Sequence, residues 1–191
     1  MNVLIIYAYP NVTGYTHAIL TSIQEGTKQK NTVDIIDLYK ENFDPVLVFN
    51  ETKKRRNMKF EEETAIYREK ILWADHIIFI FPIWWGGMPA ILKGFIDKVF
   101  SKGFAYDYKG HLPIGLLKNT SAWIITTEDA PKWYKTFFQQ DYGTVLKKQV
   151  LHMSGIKNVK HYSLSSLKNR SDKQRAAFLQ KMFERSTSLA N

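Results

Sequence analysis

The sequence predicts an α/β fold in which a five-stranded parallel β-sheet lies between two layers of helices. Short apolar runs alternate with helical patterns through five units, which is typical of a parallel sheet covered on both faces. The run at residues 77–81 is apolar at every position, as expected for a strand buried on both sides. A length of 191 residues suits one domain spanning residues 1–191. Right-handed crossovers then favour the strand order 2-1-3-4-5 in a three-layer αβα sandwich.

The segment from His76 to Phe100 has the clearest pattern in the chain. Its apolar run is the predicted third strand, which Pro82 ends because proline has no N–H for a β-ladder. Two tryptophans and two glycines follow at residues 84–87, and apolar side chains then recur at helical spacing over residues 91–100. This pattern predicts an aromatic, glycine-rich loop at the carboxyl end of a central strand, where open α/β sheets bind ligands.

The other elements follow from the same two periodicities. The last helix begins at Ser171, which is expected to form a capping box with Gln174. Long connections are predicted at residues 39–59 and 101–118. Strands are predicted at 3–9, 32–38, 121–126 and 159–164, helices at 15–28 and 61–73, and a less regular helical region ending with 145–153.

Composition excludes several classes of chemistry. The chain has no cysteine, which rules out disulfides, thiolate catalysis and cysteine-ligated metal clusters. The N-terminal apolar run is too short for a signal peptide or a membrane span, so we expect a cytoplasmic protein. The net charge is +9, but its sharpest cluster, residues 53–56, lacks interleaved aromatics, so we expect a solvated loop and no nucleic-acid partner. The five histidines show no metal-ligand spacing, and we assign no metal.

Three loops should meet at one edge of this sheet, at residues 9–16, 82–87 and 126–134. The first ends at a helix N-terminus and offers the Thr13 and Thr16 hydroxyls with several backbone N–H groups, which together suit a phosphate. It lacks both the Walker and the G-x-G-x-x-G patterns. An ordinary capped turn explains the same residues equally well, because Asn, Thr and Gly are common in turns.

The second loop indicates a planar ligand. Trp84 and Trp85 offer an aromatic wall, and Gly86 and Gly87 allow close approach to backbone amides. A planar heterocycle needs both features, and we interpret the loop as a flavin site. The alternative is that the indoles pack into the core or a subunit interface.

The third loop places Thr126 and Thr127 at a strand end and Tyr134 at the start of the next helix. Tyr134 would donate a hydrogen bond to a substrate carbonyl or ring oxygen, although a packed surface tyrosine would leave the same pattern. Glu128 and Asp129 are expected to be solvated turn residues.

The segment FPIWWGGMPAILKGFIDKVF, residues 81–100, closely resembles the strand–loop–helix of the NAD(P)H:quinone reductase family, which has a flavodoxin-like fold. Further matches lie at residues 37–39, 43–45, 103–106 and 126–127, and the resemblance spans residues 1–155. It favours the flavin interpretation of the tryptophan loop over the alternatives.

The resemblance implies a non-covalent flavin, FMN or FAD, with its phosphate in the first loop and its ring against the other two. Hydride would pass from NAD(P)H to flavin N5, and two electrons would then pass to a quinone-like acceptor, within a homodimer. Tyr134 falls where the family has a tyrosine near the acceptor and is the candidate catalytic residue. The candidate cofactor-binding residues are Tyr9, Thr13, Tyr15, Thr16, Pro82, Ile83, Trp84, Trp85, Gly86, Thr126, Thr127 and Glu128.

The chain departs from the family pattern inside these loops. Tyr9 stands where the family usually has histidine, and residues 14–16 are Gly-Tyr-Thr where Ser-Phe-Asn is usual. Glu128-Asp129 replaces a Gly-Gly pair, which adds charge and bulk beside the expected ring position. A histidine that accompanies the tyrosine in the mammalian enzymes has no clear counterpart.

These observations lead to one main hypothesis, a flavin-dependent NAD(P)H oxidoreductase acting on quinones or similar electrophiles. A flavodoxin-like electron carrier is a first alternative, although the basic charge disfavours it because such carriers are typically acidic. A regulatory ancillary subunit of a potassium-efflux transporter in the membrane is a second, because some members of the family have that role.

Overall fold

The computed structural model describes residues 1–137 and 143–189. The strands are β1 (Asn2–Tyr7), β2 (Thr32–Asp37), β3 (His76–Pro82), β4 (Tyr106–Lys109), β5 (Leu112–Gly115), β6 (Ser121–Thr127) and β7 (Val159–Leu164). Five of them are parallel and form the central sheet in the order β2-β1-β3-β6-β7, which is the predicted order 2-1-3-4-5 because β4 and β5 form a separate hairpin.

Helices cover both faces of the sheet. They are α1 (Tyr15–Lys28), α2 (Ala65–Trp73), α3 (Ala90–Val99), α4 (Lys132–Phe137) and α5 (Asp172–Thr187). In the described residues, none of the helices combines the length and the apolar character needed to cross a bilayer. The predicted capping box is present, since the Ser171 side chain accepts from the Gln174 N–H and the Gln174 side chain accepts from the Ser171 N–H.

Two buried clusters hold the layers together, one on each face of the sheet. Alternate residues of β3 divide between them, so that Ile77 and Phe79 face one side and Ile78 and Ile80 face the other. α3 packs on the first face and α1 and α5 pack on the second. Every residue of β3 is buried, as the uninterrupted apolar run predicts.

Three local predictions were incomplete. Residues 101–118 contain the hairpin β4–β5, whose two-residue loop has Gly110 at a φ of +62°. The helix predicted from residue 61 begins as a 3₁₀ turn, Glu62–Thr64, and becomes α-helical only at Ala65. The irregular region near residue 150 contains a π-helical segment, Leu146–Leu151.

Candidate functional site

The carboxyl ends of β1, β3 and β6 lie side by side, and hydrogen bonds join the loops that follow them. The Thr16 and Thr127 hydroxyl oxygens lie 3.0 Å apart and share a buried hydrogen bond. The Ile83 N–H donates to the Thr127 carbonyl over 2.8 Å. The three predicted loops therefore meet at one rim of the sheet, with Thr127 at their centre.

The first loop presents main-chain donors more than side-chain donors. Both the N–H and the hydroxyl of Thr13 donate to Asn11 Oδ1 over 2.8 Å, and the Thr16 hydroxyl is engaged with Thr127. No side chain caps α1 at Gly14, and in the described residues no acceptor meets the N–H groups of Tyr15 and Thr16. An uncapped helix N-terminus of this kind favours an anion.

Tyr9 connects the first loop to the second. A Cβ atom on Gly14 would lie 2.7 Å from Cε1 and 2.8 Å from the hydroxyl oxygen of Tyr9, so the phenol ring rests directly on the glycine. The same ring lies 6.4 Å from the Trp84 ring, between centroids, at a tilt of 53°. Tyr9 is therefore an aromatic bridge from the helix N-terminus to the tryptophan loop.

The second loop is a tight turn rather than an open coil. The N–H of Trp84 donates to the Gly87 carbonyl over 2.9 Å, and the N–H of Gly87 donates back over 3.0 Å. Trp85 and Gly86 at its tip both have positive φ, +51° and +76°, which is the geometry of a type I′ turn. Trp85 is fully exposed, and Trp84 is 41% exposed. Both indoles thus lie at the rim and outside the core, whereas Pro82 is buried at the end of β3.

Thr126 and Thr127 are buried, and their hydroxyls point to different neighbours. The Thr126 hydroxyl lies 2.9 Å from Nε2 of His161 on β7, while the Thr127 hydroxyl reaches Thr16. The first pairing depends on the register of β6 and β7, and the second depends on where α1 begins. The spacing of these residues in the sequence predicts neither pairing. The contribution of this loop to the rim is therefore mainly its backbone.

The prediction that Glu128 is a solvated turn residue was wrong. Its side chain is only 4% exposed, and Oε1 accepts hydrogen bonds from the hydroxyls of Ser163, at 2.8 Å, and Ser165. Both serines lie at the end of β7, so the carboxylate is held toward the edge of the sheet. Asp129 is exposed, as predicted, and pairs with Lys168 at 2.8 Å.

The two predicted tyrosines occupy different surroundings. The Tyr15 hydroxyl donates to the Arg175 carbonyl of α5 over 2.8 Å, and burial raises the pKa of this phenol to about 12 despite the nearby Arg175 charge. Its side chain therefore ties α1 to α5, and only its N–H is available at the rim. Tyr134 lies in the first turn of α4, is 37% exposed, and packs edge-on against Trp133 with 5.9 Å between ring centroids.

The rim can bind a phosphorylated planar ligand. The uncapped N–H groups of α1 suit the phosphate, and the exposed indoles with the backbone of the Trp84–Gly87 turn suit a flat ring. The residues present therefore fit a flavin mononucleotide. Among the described residues, no group of His, Asp or Glu side chains has the arrangement of a metal site.

Comparison with known proteins supports the family resemblance noted in the sequence. The family model described as "Flavodoxin-like fold" matches residues 1–187. An uncharacterized NAD(P)H oxidoreductase of Haemophilus influenzae is 36% identical over 185 residues, which cover 94% of this chain and 91% of that protein.

Two solved structures extend the match to the whole fold. The crystal structure of Smu.1420 from Streptococcus mutans UA159 has a TM-score of 0.95 and 49% identity, covering 99% of this chain and 100% of that one. The NAD(P)H:quinone oxidoreductase from Methanothermobacter marburgensis has a TM-score of 0.85 and 26% identity, covering 100% and 98%. The chain therefore belongs to the flavodoxin-like fold family, among relatives that are NAD(P)H oxidoreductases and quinone oxidoreductases.

Proposed function

We propose that this protein is an FMN-dependent NAD(P)H oxidoreductase that reduces quinones or similar electrophiles, and that residues 1–191 act as one flavin-binding domain. Two relatives support the reaction class, because the Haemophilus influenzae protein is named an NAD(P)H oxidoreductase and the Methanothermobacter marburgensis enzyme an NAD(P)H:quinone oxidoreductase. FAD is the alternative cofactor.

One observation supports the proposal most strongly, namely that free main-chain donors and exposed indoles lie at the same rim. The N–H groups of Tyr15 and Thr16 start α1, and the Thr16–Thr127 hydrogen bond fixes that helix start beside the end of β6. The Ile83–Thr127 hydrogen bond fixes the start of the tryptophan loop against the same strand. A phosphate on α1 would therefore place an attached ring within reach of the Trp84–Gly87 turn.

Each group at the rim then has a defined task. The Tyr15 and Thr16 N–H groups would hold the phosphate, and Trp84 with Trp85 would stack on the ring and exclude water. A bound flavin would accept a hydride from NAD(P)H and pass two electrons to the acceptor. Tyr134, a partly exposed residue in the first turn of α4, would donate a hydrogen bond from its hydroxyl to the acceptor oxygen as negative charge develops there.

A homodimer is part of the same proposal. Trp85 is fully exposed on a single chain, and a second apolar stretch, Val46–Phe49, is also largely exposed. Apolar surface of this kind is normally covered by a partner. A second copy of the chain over the tryptophan loop would complete the walls of the site.

Steady-state kinetics with menadione test the proposal. Protein incubated with FMN and freed of excess cofactor should oxidise NADH or NADPH only when the quinone is present, and the Tyr134→Phe variant should keep its FMN but lose kcat. Mass analysis of extracted flavin distinguishes FMN from FAD. Bound flavin with no NAD(P)H oxidation would contradict the enzyme and favour an electron carrier.

A further inference from the structure

A pocket lies at the amino-terminal ends of β3, β6 and β7, on the opposite side of the sheet from the rim that carries the tryptophan loop. It has a volume of about 240 Å³, and its walls come from the three strands and from the end of α5. The residues that matter for its chemistry are His76, Ser121, Lys160, Tyr162 and Arg185. The tryptophan loop follows the carboxyl end of β3, whereas this pocket lies at the amino end of the same strand, so the length of the strand separates the two.

Two cations line this pocket without a carboxylate partner. In residues 1–137 and 143–189, neither Lys160 nor Arg185 forms an ion pair. The Arg185 guanidinium lies 4.8 Å from the centre of the Tyr162 ring and donates to the Tyr162 hydroxyl over 3.1 Å. These contacts hold the guanidinium in place and leave most of its five N–H donors for another group.

His76 lines the same pocket and is itself buried. Its side chain is only 3% exposed, its Nδ1 lies 2.7 Å from the Ser121 hydroxyl, and its Nε2 is buried with no hydrogen-bond partner in the described residues. Burial, and to a lesser extent the positive charge of Lys160, lower the pKa of this imidazole to about 4, so the ring is neutral at pH 7. A buried polar atom without a partner is uncommon and often marks a binding site.

The charge of the pocket selects the kind of ligand. Two full positive charges outweigh the partial negative charge of about one half expected at the C-terminus of α5, where Ser188 and Leu189 contribute to the wall. Two carboxylates are adjacent in sequence to lining residues, and both are engaged elsewhere. Asp75 accepts the Asn2 N–H over 2.7 Å, Glu184 accepts from the Gln180 side-chain amide over 2.9 Å, and neither is part of the pocket lining. The pocket therefore favours an anion.

We propose that this pocket binds a phosphate-type oxyanion, either a free ion or the phosphate of a small molecule, through Lys160, Arg185 and the imidazole of His76. The guanidinium and the ammonium would donate to the oxyanion, and the neutral imidazole would donate from Nε2 while the Ser121 hydroxyl donates to its Nδ1. A volume of about 240 Å³ is sufficient for an oxyanion and several ordered waters. The site is independent of the flavin site and of the reaction proposed there.

Titration with inorganic phosphate, followed residue by residue by amide NMR at constant ionic strength, tests this site. Saturable shifts are expected at Ser121, Lys160 and Arg185, and these are resolved from any shifts of residues 14–16 at the α1 N-terminus. A parallel titration with glycerol 3-phosphate distinguishes a free ion from a phosphate monoester. Saturation by either probe at the pocket supports the proposal.

Charge-matched variants make the test specific. Lys160→Gln should weaken binding at the pocket by about tenfold or more, as expected for loss of one charge-assisted hydrogen bond. Lys181→Gln removes the same charge from the exposed face of α5 and should change the affinity less than about twofold. Shifts confined to residues 14–16, shifts that do not saturate, or equal weakening by both variants would each overturn the proposal.

Discussion

The phenol ring of Tyr9 packs against Gly14. A Cβ atom on residue 14 would lie only 2.7 Å from Cε1 of that ring. The family pattern that the sequence resembles implies histidine and serine at these two places. The two departures are therefore complementary, because a side chain at position 14 would force the Tyr9 ring out of its present place. The first loop keeps its path with a different pair of residues.

This relationship predicts strong coupling between the two positions. Gly14→Ser alone should destabilise the protein by about 1–3 kcal/mol, because its Cβ overlaps the Tyr9 ring. Tyr9→His alone should cost less, and the double variant should recover much of the loss. Urea unfolding of the four proteins measures the coupling energy. Additive effects would contradict the steric account.

The buried Thr16–Thr127 hydrogen bond joins α1 to β6. Removing only one of the two hydroxyls should be costly, because the other is then buried without this hydrogen bond. Thr16→Val leaves the Thr127 hydroxyl without this partner and should cost about 1–3 kcal/mol of unfolding free energy, and Thr127→Val should behave alike. The double variant should lose less than the sum of the two. FMN affinity should fall in each variant, because the helix start is no longer fixed at the rim. Unchanged stability in both single variants would show that the contact is unimportant.

Trp85 occupies a turn position that suits asparagine or glycine better than tryptophan. Trp85→Asn should therefore leave stability unchanged or raise it by up to about 1 kcal/mol, because a non-glycine residue at positive φ is unfavourable. The same change should weaken FMN binding, since the ring loses an aromatic surface. Phe60→Asn removes another exposed aromatic side chain, distant in sequence from the rim, and is the control. Tight FMN binding by Trp85→Asn would exclude the indole from the flavin site.

His76 predicts a pH dependence of stability. Its folded pKa of about 4 lies below the unfolded value of 6.5, so its contribution is fully present above pH 6.5 and is lost as the pH falls toward 4. Between pH 7 and pH 5 the loss should be about 2 kcal/mol. His76→Asn retains a polar partner for Ser121 and should flatten this difference in urea titrations done without phosphate. An equal pH dependence in both proteins would assign it to other groups.

The sequence predicted the sheet order, the bounds of α1 and the position of the three loops, because apolar periodicity and turn residues are local signals. It missed the hairpin β4–β5, whose four-residue strands are too short to show alternation. It also misplaced Glu128, since the serines that bind this carboxylate lie 35 and 37 residues later and meet it only through the register of β6 and β7. No pattern in the sequence signals the contact between Tyr9 and Gly14, which are five residues apart in an irregular loop.

We propose that main-chain donors at the start of α1 hold the phosphate of FMN while the tryptophan loop holds its ring. Titration of the protein with FMN and, separately, with riboflavin tests both halves, because the two ligands differ only in the phosphate. We expect saturable uptake of one FMN per chain with quenching of tryptophan fluorescence, and at least about hundredfold weaker riboflavin binding. Equal affinity for the two flavins, or no saturable uptake of FMN, would contradict it.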